Sequence, residues 1–503
     1  MPTTRPNIVI IMTDQHRADM CRREGYALDT TPFLDSLARQ GTWFNHAYTV
    51  MPVCVCARIS MLTGRLPSAH HVRANYNFRD GFFDTDMMRL FREQGYRTSL
   101  CGKNHTYLTP KDMDYWYEAG HSSADDTKGD PNYEAFARHV APMHSHMWHE
   151  PTPFPVECHM PYRIVTRAQK WIESGGPEPF FLWMSFPEPH NPSHVPAPYY
   201  DMFPPDALPP LRSGVEALAS KGFAYRWCWQ AFEKAFPDYV RSIPRIRSNY
   251  HGMLCLIDDQ VKRFVEFLDQ RGLAENTILV FVSDHGDFVG EYGLVRKGPE
   301  LPEALTRIPL IVSGPGIVQH AGPHGAHVSI VDLFPTICEA VGVAIPQGVQ
   351  GRSLWPLLTG QAYPPGEFAS AYAEHGFGGL PYDGTETLDP AKDGLKGAKD
   401  DQWGSYDCLN SWTQSGSMRM VRKGDWKLLF DVTGRGQLYN LKDDPVELRN
   451  LFDDPQAAAA RQEMMGELLV WMLRAQDPLP PLAANQAGRR YVMKRNPHNY
   501  WTT

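Results

Sequence analysis

No stretch of this chain is apolar for long enough to cross a bilayer. The apolar run at 8–12 is followed at once by Thr13-Asp14-Gln15-His16-Arg17, which also makes it far too short for the hydrophobic segment of a secretion signal. Cysteine is sparse and unorganised: nine in 503 residues, an odd number without framework spacing, and no second Cys-x-Cys or Cys-x-x-Cys pair that would complete a four-ligand zinc site. A reducing, cytoplasmic setting is expected on these grounds. No long basic run is present and acidic residues outnumber basic ones, 57 to 49, for a net charge of -8. Nucleic acid and anionic membranes are therefore excluded as expected partners. Internal repeats and low-complexity tracts are absent as well. What remains is a globular composition, 42% hydrophobic with a mean hydropathy of -0.41, in a chain long enough for a large core and two subdomains.

Strand-like apolar runs recur at 8–12, 98–101, 180–186, 278–282 and 310–312, with helical stretches between them. The clearest helix is expected over 248–272. Met253, Leu254, Ile257, Val261, Phe264, Val265 and Leu268 fall at three- and four-residue steps, with Ser248 as N-cap and Gly272 as stop. This alternation predicts an α/β fold: a mainly parallel sheet flanked by helices on both faces, with ligands at the C-terminal ends of the strands. Residues 107–162 and 188–212 lack the rhythm and read as long excursions over one end of the sheet. After residue 360 the pattern changes. Runs at 418–421 and 426–430 flank the turn Arg422-Lys423-Gly424-Asp425, a third strand follows at 437–441, and a helix at 457–474 packs on them. The expected division is 1–360 for the main α/β unit, 361–477 for a smaller antiparallel α+β subdomain, and 478–503 for a C-terminal arm. That arm carries Arg489, Arg490, Tyr491, Lys494, Arg495, Tyr500 and Trp501, residues suited to anchoring on a second copy, so a homo-oligomer is expected.

Chemistry concentrates at strand ends. Asp14 closes the first strand, and Asp284-His285-Gly286 closes the strand at 278–283, so two carboxylates and an imidazole can converge over the sheet as a divalent-cation site requires. Gly102-Lys103-Asn104-His105 follows the strand at 98–101, and Glu188-Pro189-His190-Asn191-Pro192 follows that at 180–186. A thiol, Cys54, stands at the start of a helix-like segment with Arg58 one turn later, where unpaired N–H groups and the helix dipole welcome an anion. The run His144-Ser145-His146-Met147-Trp148-His149 reads as a loop lining a pocket, because no paired carboxylate adjoins it to make a second metal site.

In order, these pieces resemble the type I sulfatases of the alkaline phosphatase superfamily. The run Cys54-Val55-Cys56-Ala57-Arg58-Ile59-Ser60-Met61-Leu62-Thr63-Gly64 is similar to their Cys-x-Pro/Ala-x-Arg signature and its Ser-x-Leu-Thr-Gly tail, departing at Cys56. The tail Leu438-Tyr439-Asn440-Leu441 through Asp444-Pro445-Val446-Glu447 resembles a motif late in the same family. The resemblance implies an alkaline-phosphatase-like sandwich and a sulfuric ester hydrolase. Cys54 would be converted by a maturation enzyme to formylglycine, whose hydrate attacks sulfur. It implies Asp14, Gln15, Cys54, Asp284 and His285 as ligands of one divalent metal, calcium first, with magnesium or manganese open. Lys103 would hold the nucleophile and His105 would assist release of sulfate. His190 would protonate the leaving alcohol as a near-neutral histidine, Lys297 would bind a sulfate oxygen, and Arg58 would clamp nucleophile and anion. Gln15 stands where many members have Asp. Asn75 is placed like a substrate-binding asparagine of the phosphonate monoester hydrolases, so a phosphonate monoester or phosphodiester hydrolase is the alternative; a non-catalytic binder of sulfated ligands is the third class. The expected partner is a small-molecule or saccharide sulfate ester.

Overall fold

Alternation along the first strand, β1 (Asn7–Asp14), divides its buried side chains by parity: Ile8, Ile10 and Met12 enter one core, Val9 and Ile11 the other. A strand buried on both faces is the mark of a parallel sheet between two helical layers. The computed structural model describes residues 5–75, 78–81, 85–143, 150–235, 239–385 and 414–475. Its further strands are β2 (Thr42–Trp43), β3 (Ala47–Tyr48), β4 (Arg97–Gly102), β5 (Tyr115–Glu118), β6 (Phe180–Pro189), β7 (Thr277–Ser283), β8 (Leu310–Ser313), β9 (Val328–Ser329), β10 (Ser370–Gly378), β11 (Gly416–Lys423), β12 (Trp426–Asp431) and β13 (Gly436–Asn440).

Seven strands form the main sheet in the order β2-β8-β7-β1-β6-β4-β5. All neighbours pair parallel except those of β8, which runs antiparallel to β7 and β2. The register is level where it matters for function. Thr13 pairs with Ser283 and Asp14 with Pro189, while Gly102 pairs with Ser185, so β1, β4, β6 and β7 all end along one edge. One face is covered by α2 (Cys54–Thr63), whose Met61 and Leu62 join Ile8, Trp183 and Val280. The other face takes Ile257, Val261, Phe264 and Leu268 of the long helix Tyr239–Gln270. Each such buried aliphatic or aromatic side chain is worth about 1.5–3 kcal/mol of transfer free energy.

The five anticipated main-sheet strands are all present. Two expectations fail in instructive ways. The long helix begins at Tyr239, before Ser248, and runs through Pro244, because Tyr239, Ile243 and Ile246 pack on Phe288, Leu294 and Leu305 in a core of their own. Ser248 is therefore buried inside the helix, its hydroxyl accepting from Arg245. The stop at Gly272 holds: it has φ 66°, Leu273 N donates to Leu268 O and Gly272 N to Asp269 O, a Schellman closure. The segment 107–162 is less irregular than expected, since it supplies edge strand β5 and the helix Pro131–Val140, which Asp130 caps. Short elements with one buried face leave little periodicity to read.

The second sheet is antiparallel, β10-β11-β12-β13. Its first strand, β10, was not anticipated, and the hairpin turn is the two residues Gly424-Asp425, Arg422 and Lys423 belonging to β11. The helix Ala458–Ala475 packs on it as expected: Trp471 stacks on Tyr372 at 5.5 Å and donates Nε1–H to Ser370 Oγ. Val421, Leu428, Leu438 and Leu468 belong to the same cluster as Ile10 and Trp183, so one core continues from the main sheet into the second unit. The late motif supplies a polar joint. Glu447 accepts from Glu303 N at 2.8 Å and pairs with Lys427, which also pairs with Glu303. The histidine-rich run at 144–149 and the arm at 478–503 lie outside the described residues.

Candidate active site

α2 starts at Cys54, which places the thiol at a helix N-terminus. Its N-cap position, Val53, has no side chain able to cap, and Asn75 substitutes by accepting Val55 N–H on Oδ1 at 3.2 Å. Asn75 Nδ2 is buried without a partner. Cys54 Sγ points at the strand ends, 3.2 Å from His285 Nε2, 3.1 Å from Lys297 Nζ and 3.6 Å from Asp14 Oδ1. His105 lies near enough for the Cys54 charge to act on it, although burial and then Lys103 hold its imidazole below the ordinary value. Burial and the Asp14 carboxylate work against the thiolate, yet Lys297, Lys103 and His285 outweigh them and hold this thiol well below its ordinary value. Cys56 is the opposite case. It lies among Met51, Val53, Val55, Ile59 and Val72, and burial pushes its thiol well up.

Beneath the thiol lie two buried acids. Asp14, Cys54, Asp284 and His285 each offer a ligand atom, and these atoms all lie within 4.8 Å of one another. His285 donates Nδ1–H to Gly286 O at 2.8 Å, which leaves Nε2 as the ligand atom facing the cluster. Burial resists charge on Asp14, but Lys103, His190 and Arg58 keep its carboxyl well below the usual range. Asp284 goes the other way: burial, then the Asp14 charge, push it up to about 6. Burial opposes protonation of His285 as well, yet the Asp284 and Cys54 charges raise it. Two facing buried carboxylates, one of them reluctant to ionise, with an imidazole turned toward them, form a donor set that fits a divalent cation.

Arg58 does not reach over the thiol as expected. Its guanidinium is fully buried beneath the acids, with Nε 2.9 Å from Asp284 Oδ2 and Nη2 3.2 Å from Asp14 Oδ2; Nη1 donates to Lys103 O and Ser185 Oγ. A planar donor fork fits two carboxylates held side by side by parallel strands. Gln15, in the left-handed region at φ 67°, donates its side-chain amide to Asp287 and accepts from Lys297 Nζ at 3.3 Å, while its backbone N–H donates to Asp284 Oδ1. Its carbonyl oxygen thus sits beside the group that touches Cys54.

Lys103 Nζ lies 2.6 Å from Asp14 Oδ2. The glycine before it is obligatory: Gly102 has φ 118°, and a Cβ there would stand 1.9 Å from Ser185 O. Gly286, after His285, is as tightly placed, with Ala304 O 2.0 Å from any Cβ. His190 follows β6 and donates Nδ1–H to Asn191 O at 2.6 Å, so Nε2 is its working atom. Its titration differs from expectation, since burial, then His121 and Lys297, hold the imidazole well below near-neutrality.

All eleven anticipated site residues therefore lie at or immediately around one strand edge. Three neighbours were missed. Asp287 fixes Gln15; its signal was only its spacing after Asp284-His285. Glu188 is buried with one carboxyl oxygen unpartnered, and burial lifts it to about 8. His121 stacks on His190, and nothing in its Gly-His-Ser surroundings marked it.

Comparison with known proteins bears on the fold and the family. An arylsulfatase of Clostridium perfringens is 26% identical over 90% of this chain and 91% of the relative. Among solved structures, the phosphonate monoester hydrolase of Agrobacterium radiobacter superposes with a TM-score of 0.73 at 22% identity, covering 94% of this chain and 96% of that one. An enzyme solved with its substrate D-glucosamine-2-N,6-O-disulfate superposes with a TM-score of 0.71 at 20% identity, covering 94% and 99%. These two structures share the fold. The sulfatase family model matches residues 6–343, from β1 past the last of the site residues, and the chain belongs to the sulfatase family.

Proposed function

We propose that this chain hydrolyses a sulfate monoester, with position 54 supplying the nucleophile. The observation that carries the reading is the pair of polar groups aimed at Cys54 Sγ, Lys297 Nζ and His285 Nε2, above the paired acids Asp14 and Asp284. An aldehyde made from Cys54 would supply, as its hydrate, an oxygen nucleophile that can be regenerated in each cycle. Asp14, Asp284, His285 and the side chain at position 54, with Gln15 beside them, would hold one divalent cation, calcium before magnesium or manganese, whose charge would offset that developing on the sulfuryl oxygens.

The chain's own residues do the rest. Arg58 holds the two carboxylates parallel. Lys297 and Lys103 place ammonium groups where a sulfuryl group would bind, and act there with little screening because both are buried. His190 carries the transferred proton on Nε2 and passes it to the leaving oxygen; a bound anionic ester offsets the burial that keeps the ring neutral before binding. His105, beside position 54 and kept from protonating by burial and Lys103, takes a proton from that group as sulfate departs.

A saccharide or small-molecule sulfate is the proposed substrate class, a cytoplasmic maturation enzyme acting on Cys54 the proposed partner. Among the described residues no helix is long and apolar enough to cross a membrane. The same proposal places the main unit at 1–360 and the second at 361–477, with the arm at 478–503 mediating a homo-oligomer; truncation after Asp477 should then lower the mass seen by light scattering. Mass spectrometry of the tryptic peptide spanning Cys54, together with turnover of an aryl sulfate, tests the core claim. An unmodified thiol in protein that is nonetheless active on phosphodiesters would favour the second reading, a phosphonate monoester or phosphodiester hydrolase, to which Gln15 and Asn75 lean.

A further inference from the structure

His121 follows β5 at the strand edge that carries the site, and it touches two of the groups assigned to catalysis. Its Nε2 lies 3.1 Å from Lys103 Nζ, and its ring stacks on that of His190 with centroids 4.2 Å apart and planes 30° from parallel. The Lys103 ammonium is a donor only, already committed at 2.6 Å to Asp14. His121 Nε2 must therefore be the acceptor, which puts the ring proton on Nδ1 and leaves the imidazole neutral. A neutral ring is also the one that can lie flat against His190 while His190 carries a proton; two stacked imidazolium rings would repel.

We propose that His121 is a positioning residue that ties Lys103 to His190, setting the ammonium on the sulfuryl side and the imidazole on the leaving-group side at a fixed separation. This rests on the sulfatase reading of the site. Lys103 is additionally oriented by Asp14, whereas His190 has only the Asn191 carbonyl and the stack to fix its ring plane among the contacts described. Loss of the ring should accordingly be felt most where the leaving oxygen needs a proton.

The test compares kcat/KM of wild type and His121 variants on 4-nitrophenyl sulfate, whose leaving group needs little help, and on phenyl sulfate, whose leaving group needs more. His121→Ala should lose about 10–100-fold on phenyl sulfate, the size usual for an outer residue that orients a working one, and markedly less on the nitrophenyl ester. His121→Gln keeps an acceptor for Lys103 without the ring and should behave like the alanine variant in this contrast. His121→Phe keeps the stack without the acceptor and should lose activity equally on both esters. Equal losses in all three variants, or no loss, in protein with wild-type melting temperature would overturn the proposal. A second measurement needs no turnover: in the ¹⁵N-histidine spectrum of the wild-type protein at neutral pH, His121 Nε2 should resonate as an unprotonated nitrogen, and a protonated Nε2 would overturn it. A wild type inert toward both esters would count against the sulfatase reading, and the ring resonance would still decide the His121 contact.

Discussion

Lowering the pH should expel the cation from this site, and the size of the effect follows from two neighbouring groups. In the metal-free cluster Asp284 is pushed up to about 6, by burial and then by the Asp14 charge, and His285 is raised above its ordinary value by Asp284 and Cys54 against burial. Both must be deprotonated to serve as ligands, so protons compete with the metal. Asp284 alone costs about tenfold in affinity at about pH 5, or roughly 1.4 kcal/mol, and protonation of His285 acts in the same direction. The sign for fold stability is the reverse. An acid with a raised folded pKa contributes stability that is complete below its unfolded value, near 3.8, and is lost as the pH climbs through about 6. Metal-free protein should therefore lose this contribution over the very range in which metal binding strengthens. The assay is the difference in melting temperature between calcium-loaded and chelated protein, recorded from about pH 5 to pH 8 and paired with calorimetric titration at the two ends. The difference should widen as the pH rises. A constant difference, or one larger at low pH, would refute the assignment of Asp284 and His285 as ligands.

Other perturbations probe separate parts of the argument. Cys54→Ala should abolish turnover with the fold intact, whereas Cys56→Ala, which trims one buried atom from an apolar cluster, should cost about 1 kcal/mol in urea denaturation and leave activity near wild type; the reverse pattern would show that the wrong cysteine has been chosen. Aryl sulfates should be turned over faster per active site than phosphonate monoesters or phosphodiesters, because the run Gly102-Lys103-Asn104-His105 resembles that of the sulfatases, and a large preference for the diester would move the assignment. Lys427→Met removes the cation shared by Glu303 and Glu447 at the joint between the sheets, leaving Glu303 the Tyr48 hydroxyl and Glu447 the Glu303 N–H, and should cost about 3–5 kcal/mol by denaturant midpoint. A loss under about 1 kcal/mol would mean that the joint is held by its apolar contacts.

Much of this protein was decided by local sequence. Apolar runs such as 8–12 and 278–282 read as buried strands, since each is short, uninterrupted and soon followed by Asp; the parallel sheet follows from their alternation with helical stretches, and the edge holding Asp14, Asp284, Lys103 and His190 follows from strand direction. Gly102 and Gly286 stand beside functional residues in the sequence, but only the fold shows why they are glycines: backbone packing leaves no room for a Cβ. What the sequence could not decide depends on distance in space. Arg58 lies one turn after Cys54, which suggested that it reaches the anion, but the separation of β1 and β7 presents it with two carboxylates, and the stronger pairing takes it. The lowered titration of His190 comes from burial and from His121, distant in the chain and placed by an edge strand too short to be read. Pro244 likewise sits inside a helix because a third core outweighs its local cost. Periodicity and turn chemistry act over a few residues and are written in the chain; ion-pair partners and titration are set by atoms that only the folded sheet brings within a few ångströms of one another.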